Sequence, residues 1–190
     1  MPTSEPTSPT APEIMLELVD AEGRTIGTAE KLEAHRSPGR LHRAFSVFLL
    51  DGRGRLLLQQ RALGKYHSPG VWSNTCCGHP YVGEPPFVAA ARRTAEELGA
   101  APELLQQAGT VTYYHPDEAT GLVEHEYNHL FVGLAAARQQ PDPAEVADTA
   151  FVTPDELTLL RKEKPFSAWF GSVLDAALPT IRELAPNGGW

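Results

Sequence analysis

The chain has 190 residues, a formal net charge of −8 at pH 7, 42% hydrophobic residues and 21% charged residues. This length and composition are typical of one soluble globular domain with a well-buried core. The acidic balance argues against a nucleic-acid partner, so an anionic ligand would require a local basic pocket or a metal ion. No apolar run reaches the roughly 20 residues of a membrane-spanning helix, and the first residues do not resemble a signal peptide. We therefore expect no membrane partner.

The two cysteines are the adjacent residues Cys76 and Cys77. Adjacent cysteines are poorly suited to a disulfide that stabilises a fold. Their presence therefore favours a reducing compartment, and we expect a cytoplasmic protein. Any role of these thiols is then chemical.

The order of predicted elements indicates a single domain with a mixed sheet. Residues 1–12 are rich in Pro, Ser and Thr and predict a disordered tail, which leaves 13–190 as one domain. The strands are expected within 14–20, 21–27, 43–50, 56–62, 110–115, 122–136 and 150–152, with 29–42 as a polar connection. The helices are expected from about Pro85, after Thr153 and Pro154, and over 166–184. This order predicts an α/β (α+β) fold, a sandwich of mixed sheet flanked by helices.

The central stretch 72–99 combines a strand end, a Cys-Gly-His turn and a helix that carries charged residues. A helix beginning near Pro85 is favoured, because proline suits the first helical turn. Arg93 and Glu97 lie one turn apart, where they can meet a ligand. The predicted apolar stripe of this helix consists of Val88, Ala91, Ala95 and Leu98.

Glu124 and Glu126 lie two residues apart on a predicted strand, so both side chains point to one face. Such a pair is ordinarily a solvated strand face, but two like charges this close also favour a bridging cation. Three further candidate ligands are His35, His42 and His79, each of which taken singly is an ordinary histidine. Together the five would suit Mn²⁺, Mg²⁺ or Zn²⁺.

Cys77 precedes Gly78 and lies two residues before His79. A buried, inert cysteine is the ordinary alternative, but this neighbourhood favours an exposed and polarised thiol. Cys76 is expected to point the other way and to be inert.

Four cations, Lys31, Arg61, Lys65 and Arg93, lie on loops or beside the central helix. Singly each is a solvated side chain, but together they could clamp a diphosphate. Glu97 would then hold a Mg²⁺ that bridges the phosphate oxygens. Trp169 lies in the segment 165–170. If it has no role in ligand binding, it is a core residue.

These motifs resemble type I isopentenyl diphosphate isomerase, a metal-dependent member of the Nudix superfamily. The similarity runs from about Leu16 to Trp169 and is most specific in EAHRSPGRLHRAF, RALGKYHSPGVWSNTCCGHP, VEHEYN and the Nudix box. In that box Arg93 stands where a Nudix hydrolase carries a glutamate. The residues after Lys65 and the doubled cysteine depart from the family pattern.

The resemblance implies isomerisation of isopentenyl diphosphate to dimethylallyl diphosphate, a small-molecule reaction in isoprenoid synthesis. It also implies a metal site made by His35, His42, His79, Glu124 and Glu126, and a Mg²⁺ at Glu97 that serves the diphosphate. The implied catalytic pair is Cys77 and Glu126, with Tyr114 beside Glu126 and Trp169 over the hydrocarbon. We expect a monomer or a weak dimer.

Two alternatives remain open from the sequence. A Nudix hydrolase of a nucleoside diphosphate derivative would use the same helix, but it would need the glutamate that Arg93 replaces and has no use for Cys77. A non-catalytic metal protein would use the histidines and glutamates but leaves Cys77, Arg93 and Trp169 without a role.

Overall fold

The computed structural model describes residues 14–65 and 68–190. The predicted disordered tail, residues 1–12, lies outside the described residues, as do Tyr66 and His67. In chain order the elements are β1 (Met15–Val19), β2 (Thr25–Glu30), α1 (Lys31–His35), β3 (His42–Leu50), β4 (Leu56–Arg61), β5 (Trp72–Ser73), β6 (Cys76–Gly78), α2 (Pro86–Leu98), β7 (Leu104–Asp117), β8 (Leu122–Leu134), β9 (Val146–Val152), α3 (Pro154–Glu163) and α4 (Phe170–Leu184).

The strands of these residues form one mixed sheet with β3 in its interior. β3 runs parallel to β8, from the pair His42 and Glu126 to the pair Leu50 and Leu134. β6 lies antiparallel to β3, while β7 lies antiparallel to β8 and β9 antiparallel to β4. Strand β3 therefore brings segments that are distant in sequence to one place.

Alternating side chains along β3 and β8 supply two separate cores, one on each side of the sheet. The core beneath α2 contains Phe45, Val47, Leu49, Leu57, Ala89, Ala90, Leu98 and Phe131. The core beneath α4 contains Phe48, Leu50, Leu58, Leu130, Val132, Phe170, Val173, Leu174, Ala177 and Ile181. Full burial of one such large apolar side chain stabilises the fold by roughly 1.5–3 kcal/mol. The predicted sandwich of mixed sheet and flanking helices is confirmed.

Helix α2 begins at Pro86 after an extended Pro85, as predicted, and ends at Gly99. Gly99 has a φ of 70°, and a Cβ at this position would lie 2.3 Å from the carbonyl oxygen of Gln140. Glycine is therefore required both by the backbone conformation and by the close approach of the neighbouring loop.

The predicted apolar stripe of α2 is confirmed at Leu98, which is buried, but not at its other positions. Val88 is 49% exposed. The small side chains of Ala89 and Ala90 face the sheet instead, which lets the helix pack closely against β3 and β6. The buried side of the helix consists of Ala89, Ala90, Thr94, Glu97 and Leu98.

Several element boundaries differ from the sequence prediction, among them the end of β2 at Glu30 and the start of α4 at Phe170. β7 begins at Leu104 rather than near residue 110, because it pairs with β8 as far as Leu134. The strand expected over 150–152 begins at Val146, where it pairs with β4. The connection 29–42 contains the short helix α1. Among the residues that the structure describes, none of the helices has the length and apolar character to cross a membrane.

Candidate active site

A cavity of about 470 Å³ lies where α1, the ends of β4 and β6, helix α2, strands β7 and β8, and the residue before α4 meet. Its lining includes most of the residues singled out by sequence. These are Lys31, His35, Arg61, Lys65, Cys77, His79, Arg93, Glu97, Glu124, Glu126 and Trp169. Elements far apart in the chain thus deliver these chemical groups to one place.

One side of the cavity is a cluster of metal donors. His35, His42, His79 and Glu126 each offer one ligand atom, and these atoms all lie within 4.8 Å of one another. The Nε2 atom of His79 lies 3.0 Å from Oε1 of Glu126 and 3.3 Å from Nε2 of His42. Three imidazole nitrogens and a carboxylate oxygen around one point fit a divalent cation.

Backbone carbonyls fix the orientation of two of these rings. Nδ1 of His35 lies 2.7 Å from the carbonyl oxygen of Lys31, and Nδ1 of His42 lies 2.8 Å from that of Arg40. Each Nδ1 therefore carries the hydrogen, which leaves the Nε2 lone pair for a cation. Burial lowers the pKa of His79 to about 3, so this ring is neutral, the form that binds metal.

Glu124 lies at the edge of the same cluster. Its Oε2 atom is 3.3 Å from Nε2 of His35. Burial raises the pKa of Glu124, and the nearby charge of Glu126 raises it further, since two buried carboxylates repel each other. Both glutamates face the cavity, as their spacing on β8 predicts, and a bound cation would relieve their repulsion.

Cys76 and Cys77 point to opposite sides of the sheet, as predicted for neighbours on a strand. Cys76 is fully buried in the core beneath α2, whereas Cys77 lines the cavity. The prediction of an exposed, polarised thiol is wrong. Cys77 is only partly exposed, and burial raises its pKa to about 11, although Arg61 at 4.0 Å opposes this shift. The sequence could not reveal how deeply the strand lies.

The sequence prediction that Tyr114 lies beside Glu126 is wrong, and Tyr113 occupies that place. Tyr113 pairs directly with Glu126 in the β7–β8 ladder, is 7% exposed and donates its hydroxyl hydrogen to Oε2 of Glu126. Tyr114 is 49% exposed and packs against the ring of His125. Neighbours on a strand face opposite sides, so only one tyrosine can reach the cavity.

The opposite side of the cavity is cationic. Nη2 of Arg93 lies 2.7 Å from Oε1 of Glu97, and Nζ of Lys65 lies 3.8 Å from the same oxygen. Burial lowers the pKa of Lys65 and of Lys31, yet both stand beside carboxylates that favour their charged forms. Glu97 is only 3% exposed, so it is a buried carboxylate held between cations.

Arg61 and Trp169 lie next to each other in the lining of the cavity. The guanidinium carbon of Arg61 lies 5.6 Å from the centre of the Trp169 ring. Trp169 is 5% exposed and belongs to the core beneath α4 while it also lines the cavity. Its core role and its predicted role in the site are therefore compatible.

Arg92, the other arginine of the central helix, holds the loop before α2. It pairs with Glu84 at 2.7 Å and lies 4.1 Å from the centre of the Tyr81 ring. Neighbouring arginines of the helix thus have different partners, and Arg93 is the one that reaches Glu97.

Three residues of the site were not singled out by sequence. Tyr113 could have been chosen from the strand register, had that register been known. The side-chain amide of Asn128 donates a hydrogen bond to Oε2 of Glu126 at 3.1 Å and another to the hydroxyl oxygen of Tyr113 at 3.0 Å. Asn128 lies two residues after Glu126 on β8, and this spacing is the sequence signal that could have identified it. Glu145 precedes β9 and lines the cavity beside Arg93, and nothing in its sequence neighbourhood indicates this position.

Comparison with known proteins places this geometry in a family. A model described as the NUDIX domain matches residues 40–170. A protein named Isopentenyl-diphosphate Delta-isomerase from Streptomyces coelicolor is 70% identical over 99% of this chain and 97% of its own length. A protein of the same name from Nocardia farcinica is 48% identical over 90% of this chain and 98% of its own length.

Solved structures show the same fold at low sequence identity. DR0079 from Deinococcus radiodurans superimposes with a TM-score of 0.70 at 17% identity, covering 86% of this chain and 98% of its own. A MutT NUDIX hydrolase from Burkholderia pseudomallei gives a TM-score of 0.57 at 22% identity, covering 72% of this chain and 97% of its own. At these identities the likeness concerns the fold alone.

Proposed function

Because the chain belongs to the isopentenyl-diphosphate Delta-isomerases of the NUDIX superfamily, we propose that Cys77 and Glu126 are the residues with which it isomerises isopentenyl diphosphate to dimethylallyl diphosphate. The chain is an isomerase that acts on a small-molecule diphosphate. The observation that carries the assignment of residues is that Cys77 and Glu126 line one cavity, between a cluster of metal donors and a group of cations.

The reaction requires two proton transfers. Addition of a proton to the terminal alkene carbon leaves positive charge on the tertiary carbon, and loss of a proton from carbon 2 forms the internal double bond. Protonated Glu126 supplies the acid, with Tyr113 as the relay, and the thiolate of Cys77 is the base. Turnover leaves the charge on Glu126 and the proton on Cys77, so a proton must return from the thiol to the carboxylate before the next cycle. Nη1 of Arg61 lies 4.0 Å from Sγ of Cys77, where its charge favours the thiolate. In the reverse direction each group exchanges its role.

Trp169 is placed to stabilise the tertiary cation. The negative face of an indole ring attracts a desolvated cation by about 1–2 kcal/mol. Its burial beneath the start of α4 keeps water from this part of the cavity, which matters because water would trap the cation.

Lys31, Arg61, Lys65 and Arg93 bind the diphosphate in this proposal. All four line the cavity, with Lys65 and Arg93 beside Glu97 and Lys31 beside Glu124. Arginine matches phosphate oxygens through forked hydrogen bonds, and lysine adds a point charge. Glu97 would hold a Mg²⁺, whose charge when bound would offset that of the diphosphate.

The NUDIX fold and the histidine–glutamate cluster support divalent metal binding. We propose Mn²⁺, Mg²⁺ or Zn²⁺ at His35, His42, His79, Glu124 and Glu126. An ion bound there would supply positive charge beside Glu126 and so strengthen that residue as an acid. Two side chains hold Glu126 in place: His79 contacts its Oε1 atom, and Tyr113 donates a hydrogen bond to its Oε2 atom.

We also propose that the enzyme is cytoplasmic and acts as a monomer or a weak dimer. Both cysteines are free thiols, which agrees with a reducing compartment. Sedimentation of the purified protein over a range of concentrations tests the assembly, and a stable higher oligomer would contradict it.

The functional assignment is tested by incubating purified protein with isopentenyl diphosphate and, separately, with a panel of nucleoside diphosphate derivatives. We expect dimethylallyl diphosphate without release of phosphate, and no nucleotide hydrolysis. Nucleotide hydrolysis without isomerisation would instead identify a Nudix hydrolase.

A further inference from the structure

Glu145 places a carboxylate among the cations assigned to the diphosphate. Its Oε2 atom lies 2.9 Å from Nη2 of Arg93 and also pairs with Nζ of Lys65. The same two cations contact Glu97, at 2.7 Å and 3.8 Å. Arg93 and Lys65 are therefore shared between Glu97 and Glu145, and Arg93 also pairs with Glu96 at 3.0 Å.

The backbone fixes the position of Glu145. Its N–H donates to the carbonyl oxygen of Asp142 at 3.0 Å, and its own carbonyl oxygen accepts from the N–H of Ala62 at 3.1 Å. The N–H of Asp142 in turn donates to the carbonyl oxygen of Glu97 at 2.9 Å. The turn that carries Glu145 is thus tied both to α2 and to the segment after β4, and it presents the carboxylate towards the cavity.

The two carboxylates differ in burial. The side chain of Glu97 is 4% exposed, whereas that of Glu145 is 27% exposed. Glu97 is enclosed by protein, and its Oε2 atom also accepts a hydrogen bond from Gln59 at 2.9 Å. The Oε2 atom of Glu145 is buried, but it has ion pairs and no hydrogen bond among the described residues, and the side chain as a whole is the more exposed of the two. Glu145 is therefore the carboxylate that an entering anion can displace.

We propose that Glu145 is a positioning residue that substitutes for the substrate diphosphate in the unliganded enzyme. It holds Lys65 and Arg93 in place and releases both when the diphosphate enters. This inference rests on the proposed diphosphate subsite. Without Glu145, Lys65 would keep only its 3.8 Å contact with Glu97, while Arg93 would keep its pairs with Glu96 and Glu97. Any order that the two side chains lost would have to be restored on binding, at a cost in conformational entropy.

The proposal has a measurable consequence, because an internal anion also competes with the ligand. The variant Glu145→Gln keeps the size and hydrogen-bonding capacity of the side chain but removes the competing charge. We expect it to bind inorganic diphosphate about fivefold more tightly than the wild type, as removal of a partly exposed ion pair implies. KM for isopentenyl diphosphate should fall by a similar factor while kcat is kept.

The experiment is a calorimetric titration of inorganic diphosphate into the full-length protein at fixed Mg²⁺, followed by steady-state kinetics. The variant Glu145→Asp keeps the charge on a shorter side chain, and we expect its affinity to lie between those of the wild type and Glu145→Gln. Glu163→Gln, which removes the same charge from an exposed position on α3, is the matched control and should leave both measurements unchanged.

Each other result overturns the proposal in a distinguishable way. Weaker binding by Glu145→Gln together with a higher Mg²⁺ requirement would make Glu145 a metal ligand. Unchanged binding would make the ion pairs of Glu145 irrelevant to the ligand while leaving the diphosphate subsite intact. A wild-type protein that does not bind diphosphate would overturn the subsite itself. If Glu145→Gln did not fold, Glu145→Asp with wild-type affinity would overturn the inference.

Discussion

Tyr113 and Glu126 face each other across adjacent antiparallel strands, and the phenol hydroxyl of Tyr113 donates to Oε2 of the carboxylate. Asn128 donates to the same carboxylate oxygen at 3.1 Å, and His79 lies 3.0 Å from the other oxygen. Glu126 is therefore held at both oxygens. Burial strongly raises the pKa of Tyr113, and the charge of Glu126 adds to this, so the phenol keeps its proton.

Tyr113→Phe removes that hydroxyl and keeps the ring. We expect kcat to fall by about 100-fold, the usual size of a lost proton-transfer contribution. Tyr114→Phe is the matched control, since Tyr114 faces away from the cavity, and it should keep nearly normal turnover. Steady-state kinetics are measured on both variants, and the reverse pattern would show that Tyr114, not Tyr113, acts with Glu126.

The two cysteines provide a second pair of matched variants. Cys77→Ala should lower kcat by two or more orders of magnitude, on the order of 3 kcal/mol in the barrier, without loss of metal. Cys76→Ala removes a fully buried side chain, so it should lower the free energy of unfolding by about 1 kcal/mol and leave kcat nearly unchanged. Turnover and thermal unfolding are measured on each. Full activity in both variants would mean that no thiol takes part in the reaction.

Removal of metal should abolish activity. We expect that chelation stops turnover, and that Mg²⁺ together with a transition metal restores it. His79→Ala removes one donor of the cluster and should weaken tight metal binding at least about tenfold, as measured by metal analysis after dialysis. His125→Ala, whose ring packs on Tyr114 outside the cluster, should keep its metal. Full retention of metal by His79→Ala contradicts the assignment of ligands.

Arg93→Glu reverses a charge that contacts Glu97 and Glu145. The variant loses a forked donor and adds repulsion, so KM for isopentenyl diphosphate should rise at least about tenfold. Arg53→Glu, on an exposed turn, makes the same charge reversal far from the cavity and should leave KM unchanged. A variant that hydrolysed nucleotides and kept its affinity for isopentenyl diphosphate would show that Arg93 does not bind diphosphate.

Stability should depend on pH through His129. Burial, together with the charge of the neighbouring Arg43, lowers the pKa of His129 from 6.5 to about 4. Between about pH 4 and pH 6.5, this histidine binds a proton in the unfolded chain but not in the folded protein. This part of the stability is therefore complete above about pH 6.5 and is lost as the pH falls towards 4. His129→Gln should show a shallower decline in the free energy of unfolding over that range, and identical slopes would contradict this.

Local periodicity was sufficient to predict part of the site. Side chains two apart on a strand share a face, which predicted that Glu124 and Glu126 lie together. Neighbours alternate, which predicted that Cys76 and Cys77 separate. These relations depend on backbone geometry within a few residues, so they can be derived from sequence alone.

Relations between distant segments could not be derived in this way. The choice between the two tyrosines depends on the register of β7 against β8, which shifts at an irregularity between Gln107 and Thr110. Contact of Glu145 with Arg93 joins two segments that meet only in the folded chain. The high pKa of Cys77 depends on how much protein covers it. Each is a tertiary property with no local pattern.

Metal binding at this site depends on the register of the parallel ladder between β3 and β8. His42 and Glu126 form the first pair of a ladder that continues to Leu50 and Leu134. A slip of one residue would turn the carboxylates of β8 to the opposite face and separate the donors. An ion that binds only the correctly aligned strands stabilises that alignment by mass action. The bound ion would therefore favour the native register of the strands that carry its own ligands.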